Sequence, residues 1–285
     1  GSVLIDLGKL KEAQLFFGKG IEINPDLAKA YYSLSVLKYS NNNKRWQDKL
    51  FSNSILNNKL KKDQVDIYFA RANIRHKEKN YEESSRFLKL ANELKLSLQP
   101  SNYNNFINKS KILLIESNKK ELNPKEYINP PESIFIVGML RSGSTLLESI
   151  ISMNSSVNDL GEVHFLEQSF LEQKKVNRGL TLAELYWKKA KNHSSEFNIT
   201  TNKWLYNYQY TGIISSRIPR AKIIHCFRNP LDNILSIYRA HFSKGNEYSS
   251  SLIDCANIYL DQEDLMAEYK NRFRSQIYDL NYDLL

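Results

Sequence analysis

Residues 138–145, Gly-Met-Leu-Arg-Ser-Gly-Ser-Thr, leave this chain few options. They follow a short apolar run, Ser133-Ile-Phe-Ile-Val137, and precede a helical pattern over Leu146–Ser152 in which Leu146, Leu147, Ile150 and Ile151 are expected to face a sheet. Strand, glycine loop and helix in that order are the setting that a phosphate-cradling loop needs. Glycine tolerates positive φ and close backbone approach, so successive N–H groups can converge on one concavity at the positive end of a helix dipole, where an anion is stabilised. The spacing is that of the nucleoside-triphosphatase loop G-x-x-x-x-G-K-[ST], but Ser144 stands at the lysine position. Without that lysine a triphosphate loses its main cationic clamp, and Arg141 becomes the cation of the loop.

The rest of the chain divides into two textures. Residues 1–98 repeat apolar residues at three- and four-residue intervals with little glycine or proline, which predicts helices. Leu7-Gly8, Ala13, Phe17, Gly20, Pro25, Tyr31 and Leu34 sit where the tetratricopeptide repeat of roughly 34 residues places its packing positions. A second match runs from Tyr68 through Ala72 and Leu88 to Ala91, and the interval from Tyr31 exceeds one repeat by about three residues, assigned to Asn41-Asn42-Asn43. Small residues such as Ala13 and Ala91 would let paired helices approach, while Tyr31 and Tyr68 would fill the groove between neighbours. A generic helical bundle is the alternative. A further helix is expected over Phe106–Ile115, and Glu121–Glu132, with Pro124, Pro130 and Pro131, reads as a linker. Beyond it Ala221–Phe227 and Gln276–Leu280 look like strands, and the helical patterns between them predict an α/β parallel sheet. The expected order is therefore a helical domain over 1–115, a linker over 116–132 and a P-loop-like α/β domain over 133–285.

A second constellation stands at the end of the run Ala221–Phe227: Arg228-Asn229-Pro230-Leu-Asp-Asn-Ile-Leu-Ser236. Asn229 suits an N-cap and Pro230 a first helical position, so a helix should start just after Arg228. Ser236 then lies about two turns in, on the face of Asp232 and Arg239. Taken alone, this segment could be an ordinary strand-to-helix corner. Paired with the glycine loop at the C-terminal end of another strand, it reads as a second wall of one ligand site.

The string Phe135-Ile-Val-Gly-Met-Leu-Arg141-Ser-Gly-Ser-Thr145-Leu-Leu-Glu resembles the 5′-phosphosulfate loop of sulfotransferases that use 3′-phosphoadenosine 5′-phosphosulfate (PAPS). The resemblance is nearest to bacterial tetratricopeptide sulfotransferases and the related protein-tyrosine sulfotransferases. It departs from them at Leu140, where the family usually has proline. It implies that Arg141, Ser142, Gly143, Ser144, Thr145 and Leu146 hold the phosphosulfate, and that Arg228 and Ser236 grip the 3′-phosphate that ATP lacks. It further implies that Glu162, in Gly161-Glu162, is the general base, and that Lys203, in Thr201-Asn-Lys-Trp, is a catalytic cation acting with Arg141. His164 is the lesser candidate for the base, since small-molecule sulfotransferases use histidine. No metal is implied. Tyr282-Asp-Leu-Leu285 resembles the family's tyrosine–acid–x–leucine element after a core strand, and the domain is expected to be C-terminally incomplete beside that family.

Composition limits the remaining classes. With 40 Lys+Arg against 31 Asp+Glu the net charge is +9, which suits an anionic ligand without choosing one. The longest apolar stretch is about seven residues, Ile134–Leu140 broken by Gly138, far short of the roughly 18 that a membrane span needs. Two cysteines, Cys226 and Cys255, make neither a disulfide framework nor a zinc cage. The expected setting is therefore cytoplasmic, although the opening Gly1-Ser2 looks like an expression scar, which leaves an earlier targeting segment open. Basic residues are scattered with no aromatic–basic motif, so nucleic acid is not an expected partner. The expected partners are a hydroxyl-bearing acceptor, protein or glycan, and a peptide on the repeats. Dimerisation is common in the resembled family, and nothing in the sequence decides it here. Two other readings stay open: a P-loop kinase, and a non-catalytic repeat module with a vestigial nucleotide domain.

Overall fold

A computed structural model describes residues 1–37, 44–121, 124–175, 179–193 and 198–285. Its contacts divide the chain into two compact units, one of Gly1–Asn102 with Tyr238–Ser251, the other of Tyr103–Ile237 with Leu252–Leu285. The expected insertion at residues 41–43 lies outside the described residues.

The first unit is helical: α1 Ser2–Asp6, α2 Leu10–Ile23, α3 Ala28–Val36, α4 Lys44–Phe51, α5 Lys61–Lys77 and α6 Tyr81–Leu98. Ala13 and Ala91 are fully buried, as close helix pairing requires. Tyr31 is fully buried too, and its hydroxyl donates to the Pro25 carbonyl at 3.0 Å, so the ring fills the core without stranding its polar end. The second expected groove-filler is off by one. Tyr68 lies half-buried at the margin of its cluster while Phe69 takes the interior, because neighbouring residues on a helix sit ~100° apart. Asn80 caps α6 by accepting from Glu83 N at 3.1 Å.

The segment Tyr238–Ser251 belongs to this unit although the chain reaches it from the sheet-forming half. Asn92 Nδ2 donates to the Tyr238 carbonyl at 3.1 Å and Lys95 Nζ to the Phe242 carbonyl at 2.7 Å. His241 stacks on Phe69 at 4.5 Å, with Nε2 2.9 Å from Asp66 Oδ1.

The second unit opens with α7 Tyr103–Ser117, which the sequence reading had grouped with the helical domain. Gln209 Nε2 donates to the Phe106 carbonyl and to Ser110 Oγ, both at 3.0 Å, and Arg217 Nη2 donates to the Glu116 carbonyl at 3.0 Å. Then come β1 Glu132–Gly138, α8 Ser144–Ile151, β2 Val157–Asp159, α9 Phe165–Lys175, α10 Leu182–His193, β3 Ile199–Asn202, α11 Thr211–Arg217, β4 Ala221–Phe227, α12 Pro230–Tyr238, α13 Leu252–Phe273 and β5 Ile277–Asn281.

Every pairing in the sheet is parallel, in the order β2-β3-β1-β4-β5. Central β1 carries the fully buried run Phe135-Ile136-Val137, the continuous apolar pattern expected of a strand covered on both faces. The architecture is thus helical repeats followed by a P-loop-like α/β unit. One detail extends the sequence reading and a second corrects it. Among the described residues the strand before Tyr282, β5, pairs on one side only, with β4. On α8, Leu147 packs against Ile136 and Cys226 with Ile151 beside it, while Leu146 and Ile150 are exposed, so the helix presents one narrow stripe to the sheet.

Candidate active site

The parallel sheet brings the C-terminal ends of β1 and β4 side by side, with Gly138 opposite Cys226. Gly138 has φ +140°, and a Cβ there would lie 2.2 Å from the Cys226 carbonyl oxygen. Only glycine lets β1 leave the sheet at this point. Gly143 has φ +85° and stands just before α8, where a Cβ would collide with the Tyr282 ring. Arg141 itself adopts φ +65°, uncommon for a non-glycine residue, and its carbonyl neighbour at Leu140 is held by Asn233 Nδ2 at 2.9 Å. Ser142 is fully buried, and its Oγ has no hydrogen-bond partner among the described residues. An orphaned hydroxyl inside a glycine loop at a helix N-terminus is a donor waiting for an acceptor.

The corner after β4 forms as the sequence predicts. Asn229 Oδ1 accepts from Leu231 N at 3.0 Å and Asp232 N at 3.3 Å, and α12 starts at Pro230. The Arg228 guanidinium lies 5.3 Å over the Tyr282 ring, 3.9 Å from Asp232 and 3.8 Å from Asp283. Asp283 Oδ2 also accepts from Asn229 N at 2.6 Å. Ser236 meets the first loop directly, since Arg141 Nε donates to Ser236 Oγ at 3.2 Å. Tyr282 and Asp283 tie the two walls together: the ring covers Gly143 and carries Arg228, and the carboxylate holds the corner.

The reacting candidates gather on the other side of the loop. The segment at Gly161 runs beside the end of β3, with Leu160 N donating to the Thr201 carbonyl at 2.9 Å and Lys203 N to the Gly161 carbonyl at 3.0 Å. This brings Lys203 Nζ to 2.5 Å from Glu162 Oε1, 3.4 Å from Thr145 Oγ1 and 3.8 Å from Glu148 Oε2. The Lys203 side chain is 5% exposed and that of Glu162 63%, so the ammonium is sheltered and the carboxylate faces solvent. His164 is exposed, with its ring 3.7 Å from that of Trp204. Of the two candidates for the base, Glu162 is the one with a contact to Lys203.

Glu148 is the site residue that the sequence reading passed over. It lies one turn beyond Thr145 on α8, buried, and Thr201 Oγ1 donates to its Oε1 at 3.4 Å. Burial pushes its carboxyl above the ordinary range, and the Lys203 charge pulls against that shift. Its traces in the sequence are its place at the end of the quoted loop string and the three-residue step from Thr145, which puts both side chains on one helix face.

The sheet order, the glycine loop after central β1 and the two neighbouring strand ends define a P-loop-like α/β unit on a chain that also carries helical repeats. A model of the sulfotransferase family matches residues 178–285, and a tetratricopeptide repeat model matches residues 1–27. In this order on one chain the two matches support a likeness to tetratricopeptide-containing sulfotransferases. The sulfotransferase match includes Lys203, Arg228 and Ser236, whereas the loop and Glu162 lie before it. An uncharacterized protein of Aquifex aeolicus (strain VF5) is 24% identical over 309 residues, covering 99% of this chain and 40% of that relative. The chain therefore spans well under half of the relative's length. A shikimate kinase from Bacteroides thetaiotaomicron aligns at 14% identity and a TM-score of 0.34, over 53% of this chain and 87% of that one, too distant to carry an argument.

Proposed function

We propose that the chain transfers the sulfuryl group of PAPS to an acceptor hydroxyl. The observation that carries this reading is one constellation: Lys203 Nζ touches both Thr145 of the glycine loop and Glu162, and Arg141 of the same loop reaches Ser236 beside Arg228. The residues fit the donor, since a glycine cradle with an orphaned buried hydroxyl at Ser142 suits its 5′-phosphosulfate, and Arg228 with Ser236 suits its 3′-phosphate. PAPS, when bound, supplies an activated sulfuryl group whose bond to the 5′-phosphate oxygen breaks as the bond to the acceptor oxygen forms.

The chain's own residues then divide the work. Glu162, exposed at the mouth, accepts the proton of the acceptor hydroxyl. Lys203 and Arg141 offset the negative charge that grows on the phosphate side, and the sheltered position of Lys203 strengthens that interaction. Ser144 at the usual lysine position, with Arg228 and Ser236 in place, favours a 3′-phosphorylated nucleotide over ATP. The acceptor bears a hydroxyl on a protein tyrosine or a carbohydrate, and the repeats recruit a peptide partner.

Calorimetry with 3′,5′-adenosine diphosphate and ATP tests the donor half, and binding of the first without the second is expected. Sulfur-35 transfer from labelled PAPS into acceptor fractions tests the reaction. There Glu162→Gln should lower turnover by about 10²- to 10⁴-fold with 3′,5′-adenosine diphosphate affinity nearly unchanged. Tight binding of ATP, or full turnover in the Gln variant, would overturn the reading.

A further inference from the structure

We infer that Glu148 is a positioning residue for Lys203: it keeps the ammonium at the mouth of the glycine loop when Glu162 turns to the acceptor. The inference rests on the sulfuryl-transfer reading above and gives a role to Glu148, the last residue of the loop string, to which the resemblance assigns none. Lys203 faces two carboxylates of unlike character. The Glu162 side chain is 63% exposed, while that of Glu148 is 10% exposed and accepts from Thr201 of β3. Lys203 follows directly on β3, the strand that carries Thr201, and side chains three apart on a helix share a face, which aligns Thr145 with Glu148. Thr201 Oγ1 donates to Glu148 Oε1 at 3.4 Å and Lys203 Nζ to Thr145 Oγ1 at the same distance, so each element orients the other's charged group.

Charge balance gives this arrangement a purpose. As Glu162 takes the acceptor's proton it becomes neutral and can no longer hold Lys203 by charge. An ammonium that is 5% exposed and has lost its nearest carboxylate then faces the growing charge of the phosphate alone, and a second carboxylate is what fixes its position against that one-sided pull. Glu148 Oε2, already 3.8 Å from Nζ, is the carboxylate that remains. Among the described groups that act on it, Asp159, Glu162, the Thr201 hydroxyl and Lys203, the cation is Lys203.

The test follows the Lys203 Hζ–Nζ signal by lysine-selective proton–nitrogen NMR on the full chain, assigned by its loss in K203M. An ammonium held by a carboxylate exchanges slowly enough to be seen. The signal should persist in E162Q and vanish in the E148Q/E162Q pair, with and without 3′,5′-adenosine diphosphate. In sulfur-35 transfer, E148Q should lower kcat by about 10- to 100-fold with KM for PAPS within about threefold, the pattern of a lost orienting contact rather than a lost binding contact. Where E148Q does not fold by circular dichroism, T201V, which removes only the hydroxyl that orients Glu148, should weaken the signal and kcat in the same direction by less. Survival of the signal in the double variant, its loss in E162Q alone, or unchanged kcat in E148Q or T201V would overturn the inference. Failure of the wild type to bind 3′,5′-adenosine diphosphate would instead overturn the sulfuryl-transfer reading, and the lysine signals would still report on Glu148.

Discussion

The loop after β1 and the corner after β4 stand at the ends of neighbouring strands and are built by opposite means. The loop is a backbone object, shaped by Gly138 at φ +140° against the Cys226 carbonyl and by Gly143 at φ +85° against Tyr282. The corner is a side-chain object, shaped by the Asn229 cap, the Asp283 carboxylate and Arg228 lying on Tyr282. A backbone cradle fails or holds as a whole, because moving one peptide moves its neighbours. A side-chain grip can be weakened one group at a time, so selectivity is more easily tuned at β4 than at β1.

The largest effect expected from this contrast is at Gly138. G138A puts a methyl group 2.2 Å from a backbone oxygen, at a φ that L-residues rarely adopt, and neither atom is on a flexible side chain. Urea unfolding should show a loss of more than about 3 kcal/mol, since backbone strain and a main-chain clash add. Whatever variant protein folds should bind no nucleotide. Near-native stability with intact binding would mean that the loop bends more freely than a backbone cradle can.

R228A should be selective where G138A is global. Charge-assisted hydrogen bonds to a phosphate contribute about 1.5–3 kcal/mol, so the affinity for 3′,5′-adenosine diphosphate should fall by roughly 10- to 150-fold while that for 5′-adenosine monophosphate stays put. Calorimetry on both nucleotides reads the difference. Equal losses for both would place Arg228 on the wrong phosphate and erase the distinction between the two walls.

The same contrast explains what could be read from the sequence. The β1 and β4 runs are apolar over most of their length, and Asn229-Pro230 announces a helix start by its own chemistry, so loop and corner were both legible. β2 and β3 were not, because Val157–Asp159 and Ile199–Asn202 are too short and too polar to outweigh a loop reading. Lys203 could be found only by resemblance, since the strand that delivers it was invisible. Glu148 stayed hidden for the same reason, as its partners Thr201 and Lys203 arrive through that strand. The attachment of Tyr238–Ser251 to the helical unit depends on contacts such as Asn92 with Tyr238, 146 positions apart, which no local pattern encodes.

The smallest effect, and the one that tests whether two differently built walls serve one ligand, is at Ser236. Its hydroxyl is a neutral group that accepts from Arg141 Nε at 3.2 Å, so S236A removes one ordinary hydrogen bond and leaves both arginines in place. A loss of about 0.5–1.5 kcal/mol corresponds to roughly 2- to 12-fold in the affinity for 3′,5′-adenosine diphosphate. The informative quantity is the coupling. If one bis-phosphorylated nucleotide spans loop and corner, S236A and R141A act on the same held ligand and their losses should fall short of additivity by at least about 0.5 kcal/mol, the usual scale for residues in contact. Strict additivity in that double-mutant cycle would mean that the contact between Arg141 and Ser236 links two walls that bind independently, and that the donor does not bridge them.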